Sequence, residues 1–425
     1  MPEETAFLLS EFLKTNQVST DTRKIKEGSI YFALKGGNFN GNLFASEALS
    51  KGAAFVVVDE DVETDPQKTV KVEDALTALQ HLASAYRRTL KAPIIAVTGS
   101  NGKTTTKELI LKVLSSKFKT FATQGNLNNH IGVPLTLLSI PQDTEKIVLE
   151  LGANHLKEIE LLAKISNPDY GLITNVGMDH LEGYGSFKNV AIGHNELFIH
   201  ILKFGKNVFY NKNDKQVSEM ASRFALPIAY PPEGLKIIEN KFFIKLQTGS
   251  GKTISTQLPG AYNFDNVAVA LSIGLYFGVS ESDAIKAIEE YQSSNNRSQI
   301  LKTAKNTLLL DAYNANPSSM ELAIENLGLM DAPNKVAILG DMFELGNYSD
   351  QEHLRMLQIA SKENLKFIFG CGTEFCKHRA AFPKIYFFDS REQLSSWLNQ
   401  NEFENCTILL KGSRGMALEK LVEVL

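Results

Sequence analysis

A chain of 425 residues has room for about three domains of ordinary size, and 43% hydrophobic with 22% charged residues is the composition of a folded globular protein. Its 44 Lys and Arg against 48 Asp and Glu leave a net charge of −4. That is too close to balance for a general nucleic-acid binder or a polybasic membrane protein, so an anionic ligand must be met by local basic groups.

The start, MPEETAFLLSEFLK, is acidic and amphipathic where a secretion signal would be basic and then uniformly apolar. No run approaches the length of a membrane span, and Cys371, Cys376 and Cys406 are an odd number without metal-ligand spacing. A cytoplasmic protein with free thiols, no stable membrane insertion and no nucleic-acid partner is expected.

Phe7, Leu8, Phe12 and Leu13 have helical spacing. Two β-rich runs, 29–34 and 53–58, follow, separated by Gly36, Gly37, Gly41 and a helical stretch, which predicts a small α/β domain over 1–82. The apolar residues of 73–90 are spaced as on a helix that ends before Pro93 and could join two domains. From Ile94 strands and helices alternate: 94–97 then a helix from Thr105, 147–151 then a helix from Leu156, 170–174 then a helical run near Val190. This predicts a parallel sheet covered on both faces within a domain spanning 83–297. Near Lys236 the period switches to two, and 242–246 with 253–258 flank Gly249 and Gly251 as a hairpin. After the loop-like polar stretch 293–296, strand-like 308–310, 336–339, 367–369, 385–388 and 407–410 alternate with helical segments as a third α/β domain, 298–425.

The segment from Val97 to Lys107, VTGSNGKTTTK, joins an apolar strand to a helical run. Backbone N–H groups from Gly99, Ser100, Asn101 and Gly102 onward through Thr105 can surround a phosphate there. Lys103 can reach its outer oxygens, and the Thr104 hydroxyl can ligate magnesium. Only the shorter core Gly99-x-x-Gly102-Lys103-Thr104 matches, since the strict motif wants glycine at Val97. A second GKT at Gly251-Lys252-Thr253 has hairpin flanks and no following helix, so its donors would not converge on one anion.

A parallel sheet places ligands beyond the carboxyl ends of its strands. Glu150 there is a carboxylate that is costly to bury unless it meets a cation, whether a metal or a structural lysine or arginine. His180 lies in a glycine-rich loop, and Asn126, Asn128 and Asn129 supply amides that also favour turns. Asp311, Tyr313, Asn314 and Asn316 crowd into DAYNANP after a strand, and Lys411-Gly-Ser-Arg-Gly415 follows another.

Taken in order, DTR at 21–23, FALKG at 32–36, TGSNGKTT at 98–105, NLNN at 126–129, ELGAN at 150–154, HLEG at 180–183, NFDN at 263–266, DAYNANP at 311–317 and KGSR at 411–414 make the chain resemble the Mur ligase family along its whole length. The DAYNANP and LGDMFELG segments resemble the branch that adds D-alanyl-D-alanine. The resemblance implies a smaller α/β N-terminal domain that holds a uridine nucleotide, a central P-loop parallel-sheet ATPase domain and a Rossmann-like C-terminal domain for the dipeptide. It implies ATP and Mg2+ as cofactors and, as partners, UDP-N-acetylmuramoyl-tripeptide and D-alanyl-D-alanine, joined in cytoplasmic peptidoglycan synthesis; a monomer is expected.

By resemblance, Lys103 and Thr104 grip phosphate and a first magnesium, Glu150 completes that metal's shell and His180 serves a second. Asn263 contacts adenine; Arg297 and Asp311 reach the γ-phosphate and ribose. Asp21, Thr22, Arg23, Lys35 and Gly36 hold the uridine nucleotide, while Asn128, Asn129, Tyr313, Asn314 and Asn316 contact the acceptor and dipeptide.

One departure stands out. The family usually carries a lysine, carbamylated to hold the second magnesium, where this chain has His194 in IGHNEL. Histidine cannot form that carbamate, and neutral imidazole is a poorer ligand than an anionic oxygen for a hard cation. Either His194 substitutes, another group supplies the oxygen, or the chain is a nucleotide-binding homologue with little turnover. A different Mur-type ligase and a folylpolyglutamate synthetase are the enzymatic alternatives.

Overall fold

Apolar runs become the inner strands of three parallel sheets in the computed structural model, which describes residues 2–294, 296–401 and 403–425. Asn295, in the stretch expected to be a loop, lies outside the described residues. The first sheet has the order β1 (Val18–Ser19), β2 (Ile30–Phe32), β5 (Phe55–Val58), β6 (Thr69–Lys71), all parallel. The glycine-rich stretch between the predicted runs forms a two-strand hairpin, β3 (Lys35–Gly36) with β4 (Phe39–Asn40), too short to leave a periodic signal.

The central sheet contains β7 (Ile94–Thr98), β8 (Thr120–Ala122), β9 (Lys146–Glu150), β10 (Tyr170–Ile173), β11 (Asn207–Asn211) and β12 (Ile228–Tyr230), in the parallel order β12-β11-β10-β7-β9-β8. Every residue of β7 and β10 is buried, as expected for strands covered on both faces. The chain leaves β7 for β8 and β9 on one side and then crosses to β10 on the other. The carboxyl ends of β7, β9 and β10 therefore flank a topological switch point, where open α/β sheets bind ligands.

The expected hairpin is a three-stranded antiparallel meander, β13 (Lys236–Asn240), β14 (Ile244–Gln247) and β15 (Thr253–Ser255). Gly251 turns at φ +86° between β14 and β15, and Lys252 pairs with Glu281 at 3.0 Å, so the second GKT is a turn. The third sheet has the order β16-β17-β21-β18-β19-β20: β16 (Gln299–Lys302), β17 (Thr307–Asp311), β18 (Lys335–Gly340), β19 (Phe367–Cys371), β20 (Tyr386–Phe388), β21 (Thr407–Lys411). Only β16 is antiparallel.

The helix Ala75–Arg87 runs without a break across the expected boundary at 82/83. Tyr86 donates to the Ile140 carbonyl at 2.7 Å. The buried Arg87 guanidinium meets Asp169 at 2.9 Å and the Ser166 carbonyl at 3.0 Å, and Asp169 in turn accepts from the Ile94 N–H at 3.0 Å. The first strand of the central sheet is thereby clamped to the helix that precedes it. Cys371, Cys376 and Cys406 are free, as expected, and no helix among the described residues is long and apolar enough to cross a membrane.

Candidate active site

After β7 the chain turns through Gly99 at φ +128° and Gly102 at φ +78° and enters a helix at Lys103, two residues before the expected start, because Gly102 takes the left-handed N-cap conformation at no steric cost. A Cβ on Gly99 would stand 2.2 Å from Thr174 Oγ1 and 2.9 Å from the Asn175 carbonyl oxygen, so β10 and the loop approach as closely as backbone allows. The first intrahelical bond runs from Thr106 N–H to the Gly102 carbonyl at 2.8 Å, which leaves the earlier N–H groups of the helix facing the loop.

Two expected donors are used within the protein. Ser100 N–H donates to the Asn175 carbonyl and Asn101 N–H to Asn175 Oδ1, each at 3.0 Å. Lys103 Nζ bonds the Gly99 carbonyl and, at 3.2 Å, that of Ser100. Burial lowers the pKa of this ammonium, opposed by the nearby carboxylates of Asp179 and Glu150.

Glu150 closes β9 in register with Val97 of β7 and is 1% exposed. Its Oε1 accepts from Asn128 Nδ2 at 2.8 Å, while its Oε2 has no hydrogen-bond partner, and neither does the buried Thr104 Oγ1. No lysine or arginine forms an ion pair with Glu150 among the described residues, although Lys103 is near enough for the two charges to act on each other. Two unsatisfied hard oxygens beside a phosphate loop fit a magnesium ion. No three His, Cys, Asp or Glu side chains converge as a metal cluster among the described residues.

His180 adopts φ +48°, and its Nδ1 meets Glu344 Oε2 of the third domain. His194, 1% exposed, sits in the helix Phe187–Phe204 with Nδ1 3.1 Å from Thr98 Oγ1. Asp179, which no local sequence pattern marks, accepts the Ser100 hydroxyl at 2.5 Å and faces His194 Nε2 at 3.8 Å. Burial raises the Asp179 carboxyl, but His194, Lys103 and Ser100 outweigh it and hold it at about 2. Burial pushes the His194 imidazole down against the pull of Asp179. Lys188, on the first turn of the His194 helix, is exposed.

The third domain covers the site with the carboxyl ends of β17 and β21. Asp311 and the buried Lys411, side by side in register, pair at 2.5 Å. The Arg297 guanidinium lies 3.7 Å from the Tyr313 ring centroid and that of Arg414 5.8 Å from it. Asn316 caps the helix Pro317–Leu329 through Ser319 N–H and donates to Asn101 Oδ1 at 3.0 Å. Ser318 Oγ accepts from Met178 N–H at 3.0 Å.

These groups enclose a cavity of about 830 Å³. Lined by Lys103, Glu150, Asp179, His180, Asn263, Arg297, Asp311, Tyr313 and Asn314 among others, it is large enough for a nucleotide. Asn263 is held by Pro259 and Asn266, and Asn129 turns its Oδ1 to the N–H groups of Ile131 and Gly132. The uridine-site candidates lie outside this cavity: Asp21 pairs with Arg23 at 2.8 Å, Thr22 with Glu47 at 3.0 Å, Lys35 with Asp59 at 3.1 Å, and Gly36 is in the β3–β4 hairpin.

A switch-point phosphate loop roofed by a second α/β domain defines a nucleotide-dependent, multidomain enzyme class. Three protein-family models match in chain order: the Mur ligase family catalytic domain over 14–87, the Mur ligase middle domain over 97–274, and the Mur ligase glutamate ligase domain over 296–414. The chain belongs to the Mur ligase family. It is 32% identical to the UDP-N-acetylmuramoyl-tripeptide--D-alanyl-D-alanine ligase of Bacillus subtilis, over 96% of this chain and 92% of that protein. It is 34% identical to the enzyme of the same name from Escherichia coli, over 96% and 93%. A crystal structure of MurF from Acinetobacter baumannii superposes with a TM-score of 0.87 at 29% identity, covering 96% of this chain and 92% of that one.

Proposed function

We infer that the chain is an ATP-dependent amide-bond-forming ligase that joins D-alanyl-D-alanine to UDP-N-acetylmuramoyl-tripeptide in cytoplasmic peptidoglycan synthesis. The observation that carries this is a single cavity lined by the phosphate loop with Lys103, by Glu150 and by the Asp311–Lys411 pair, in a chain whose near-full-length relatives bear that name. A free carboxylate is a poor acyl donor because its leaving group would be oxide. Attack of a carboxylate oxygen on the ATP γ-phosphorus releases ADP and forms an acyl phosphate. The dipeptide amine then attacks the carbonyl carbon, loses a proton and expels inorganic phosphate.

Lys103 and the first N–H groups of its helix neutralise phosphate charge. Thr104 Oγ1 and Glu150 Oε2 would hold magnesium, which when bound supplies charge stabilisation at the transferring phosphoryl group. Arg297 and Asp311 serve the γ-phosphate and ribose, and Asn263 the adenine. Residues 1–82 seat the uridine nucleotide, 83–297 the ATP and 298–425 the dipeptide; closing the last over the second excludes water from the acyl phosphate. Phosphate release with tripeptide nucleotide, D-alanyl-D-alanine and MgATP tests this: release should require both peptides. Release no faster than the ATP-only blank, or equal release with a single amino acid in place of the dipeptide, would overturn the reading.

A further inference from the structure

Asp179 and His194 present two buried, electron-rich atoms to each other. Asp179 is 3% exposed; one carboxylate oxygen is tied to the phosphate loop by the Ser100 hydroxyl at 2.5 Å, and the other, Oδ2, has no hydrogen-bond partner. His194 is 1% exposed; Nδ1 is anchored 3.1 Å from Thr98 Oγ1 at the end of β7, and Nε2 also has no partner. The two orphaned atoms are 3.8 Å apart, too far for a hydrogen bond, and each is costly to bury unsatisfied. With the imidazole proton on the Thr98 side, a lone pair on Nε2 faces a carboxylate oxygen. One cation with two bonds of about 2.1 Å spans such a gap.

We propose that Asp179 and His194 seat a second divalent cation, Asp179 through Oδ2 and His194 through Nε2, so that a carboxylate beside His180 supplies the anionic oxygen that a histidine at position 194 cannot. The assignment rests on the phosphoryl-transfer reading and deepens it. It places the two cation seats on either side of Lys103: Thr104 with Glu150 at the β9 edge, and Asp179 with His194 at the β10 edge. Ser100 couples the second seat to the phosphate loop, and Asp179 lines the same cavity as Lys103. Because neither residue is a lysine, the seat needs no carbon dioxide.

The test counts Mn2+ bound to the full chain saturated with ADP, by electron paramagnetic resonance, with no peptide substrate present. Wild type should bind two ions, and Asp179→Asn should weaken one of them by about tenfold or more while the other, lost in Thr104→Ala, keeps its affinity. Should Asp179→Asn fail to fold, Asp179→Cys should bind one Mn2+ and regain the second site with Cd2+. Carbon-13 NMR in labelled bicarbonate should show no carbamate. A single Mn2+ in wild type, two unweakened ions in Asp179→Asn, no Cd2+ recovery in Asp179→Cys, or a carbamate resonance would each overturn the proposal. Since the count needs no acceptor or dipeptide, a chain that binds two ions yet makes no peptide product refutes the ligase reading and leaves this one standing.

Discussion

Lys103 is held where a flexible ammonium rarely stays still: its Nζ is bonded to the carbonyls of its own loop and its charge is flanked by Asp179 and Glu150. The phosphate site is therefore preorganised before substrate arrives, which is where electrostatic catalysis draws its advantage. Lys103→Ala should lower kcat by about 10²–10³-fold and weaken nucleotide binding, read by steady-state kinetics and nucleotide titration; a variant within about twofold of wild type in both would remove Lys103 from the reaction. At this scale the sequence is legible where chemistry is packed into a short stretch, as in Gly99 to Thr104. Asp179 is not legible, because its partners Ser100 and His194 come to it from two other elements, and an aspartate in a glycine-rich loop reads equally well as a turn.

Among the elements, the β3–β4 hairpin is fastened to the helix Ala75–Arg87 by one carboxylate. Asp59 accepts from Asn42 Nδ2 at 2.8 Å and from the Ala75 N–H at 3.2 Å, and pairs with Lys35 at 3.1 Å. Burial raises its pKa, but these three contacts outweigh burial and hold it below the ordinary carboxylate value. A folded value below the unfolded one stabilises above about pH 4, and the contribution disappears as pH falls through the folded value. Asp59→Asn should thus lower the unfolding free energy by about 1–3 kcal/mol at neutral pH, in urea titrations, with the difference from wild type shrinking in acid. An equal difference at all pH values would show that charge is not its source. The same scale bears on which strands could be foreseen, with two exceptions: the edge strand β20 is expected from its aromatic run, and the inner strand β11, bounded by Asn207 and Asn211, is not. Those buried on both faces, β7, β9, β10 and β17, are continuous apolar runs, whereas β8, β12 and β16 are short, partly exposed edge strands whose pairing is decided by neighbours remote in sequence.

For the molecule as a whole, the third domain is docked on the second through contacts no local pattern encodes: Asn316 to Asn101, Ser318 to Met178, and Glu344 to His180 and to the Glu182 N–H at 3.0 Å. The motifs of both domains could be read separately, but the facing of Asp311 and Lys411 onto the phosphate loop depends on how two sheets pack. Ser318→Ala leaves the Met178 N–H without its acceptor, costing about 1 kcal/mol of closure. It should slow turnover by about fivefold with nucleotide affinity little changed; unchanged turnover with weakened nucleotide binding would place Ser318 outside the closing surface. The central claim is that ATP activates the acceptor's terminal carboxyl in this closed cavity. It is tested most directly with UDP-muramoyl tripeptide carrying oxygen-18 in that carboxylate, followed by mass analysis of the phosphate released. One labelled oxygen per product should appear in inorganic phosphate; ligated product accompanied by unlabelled phosphate would contradict the account.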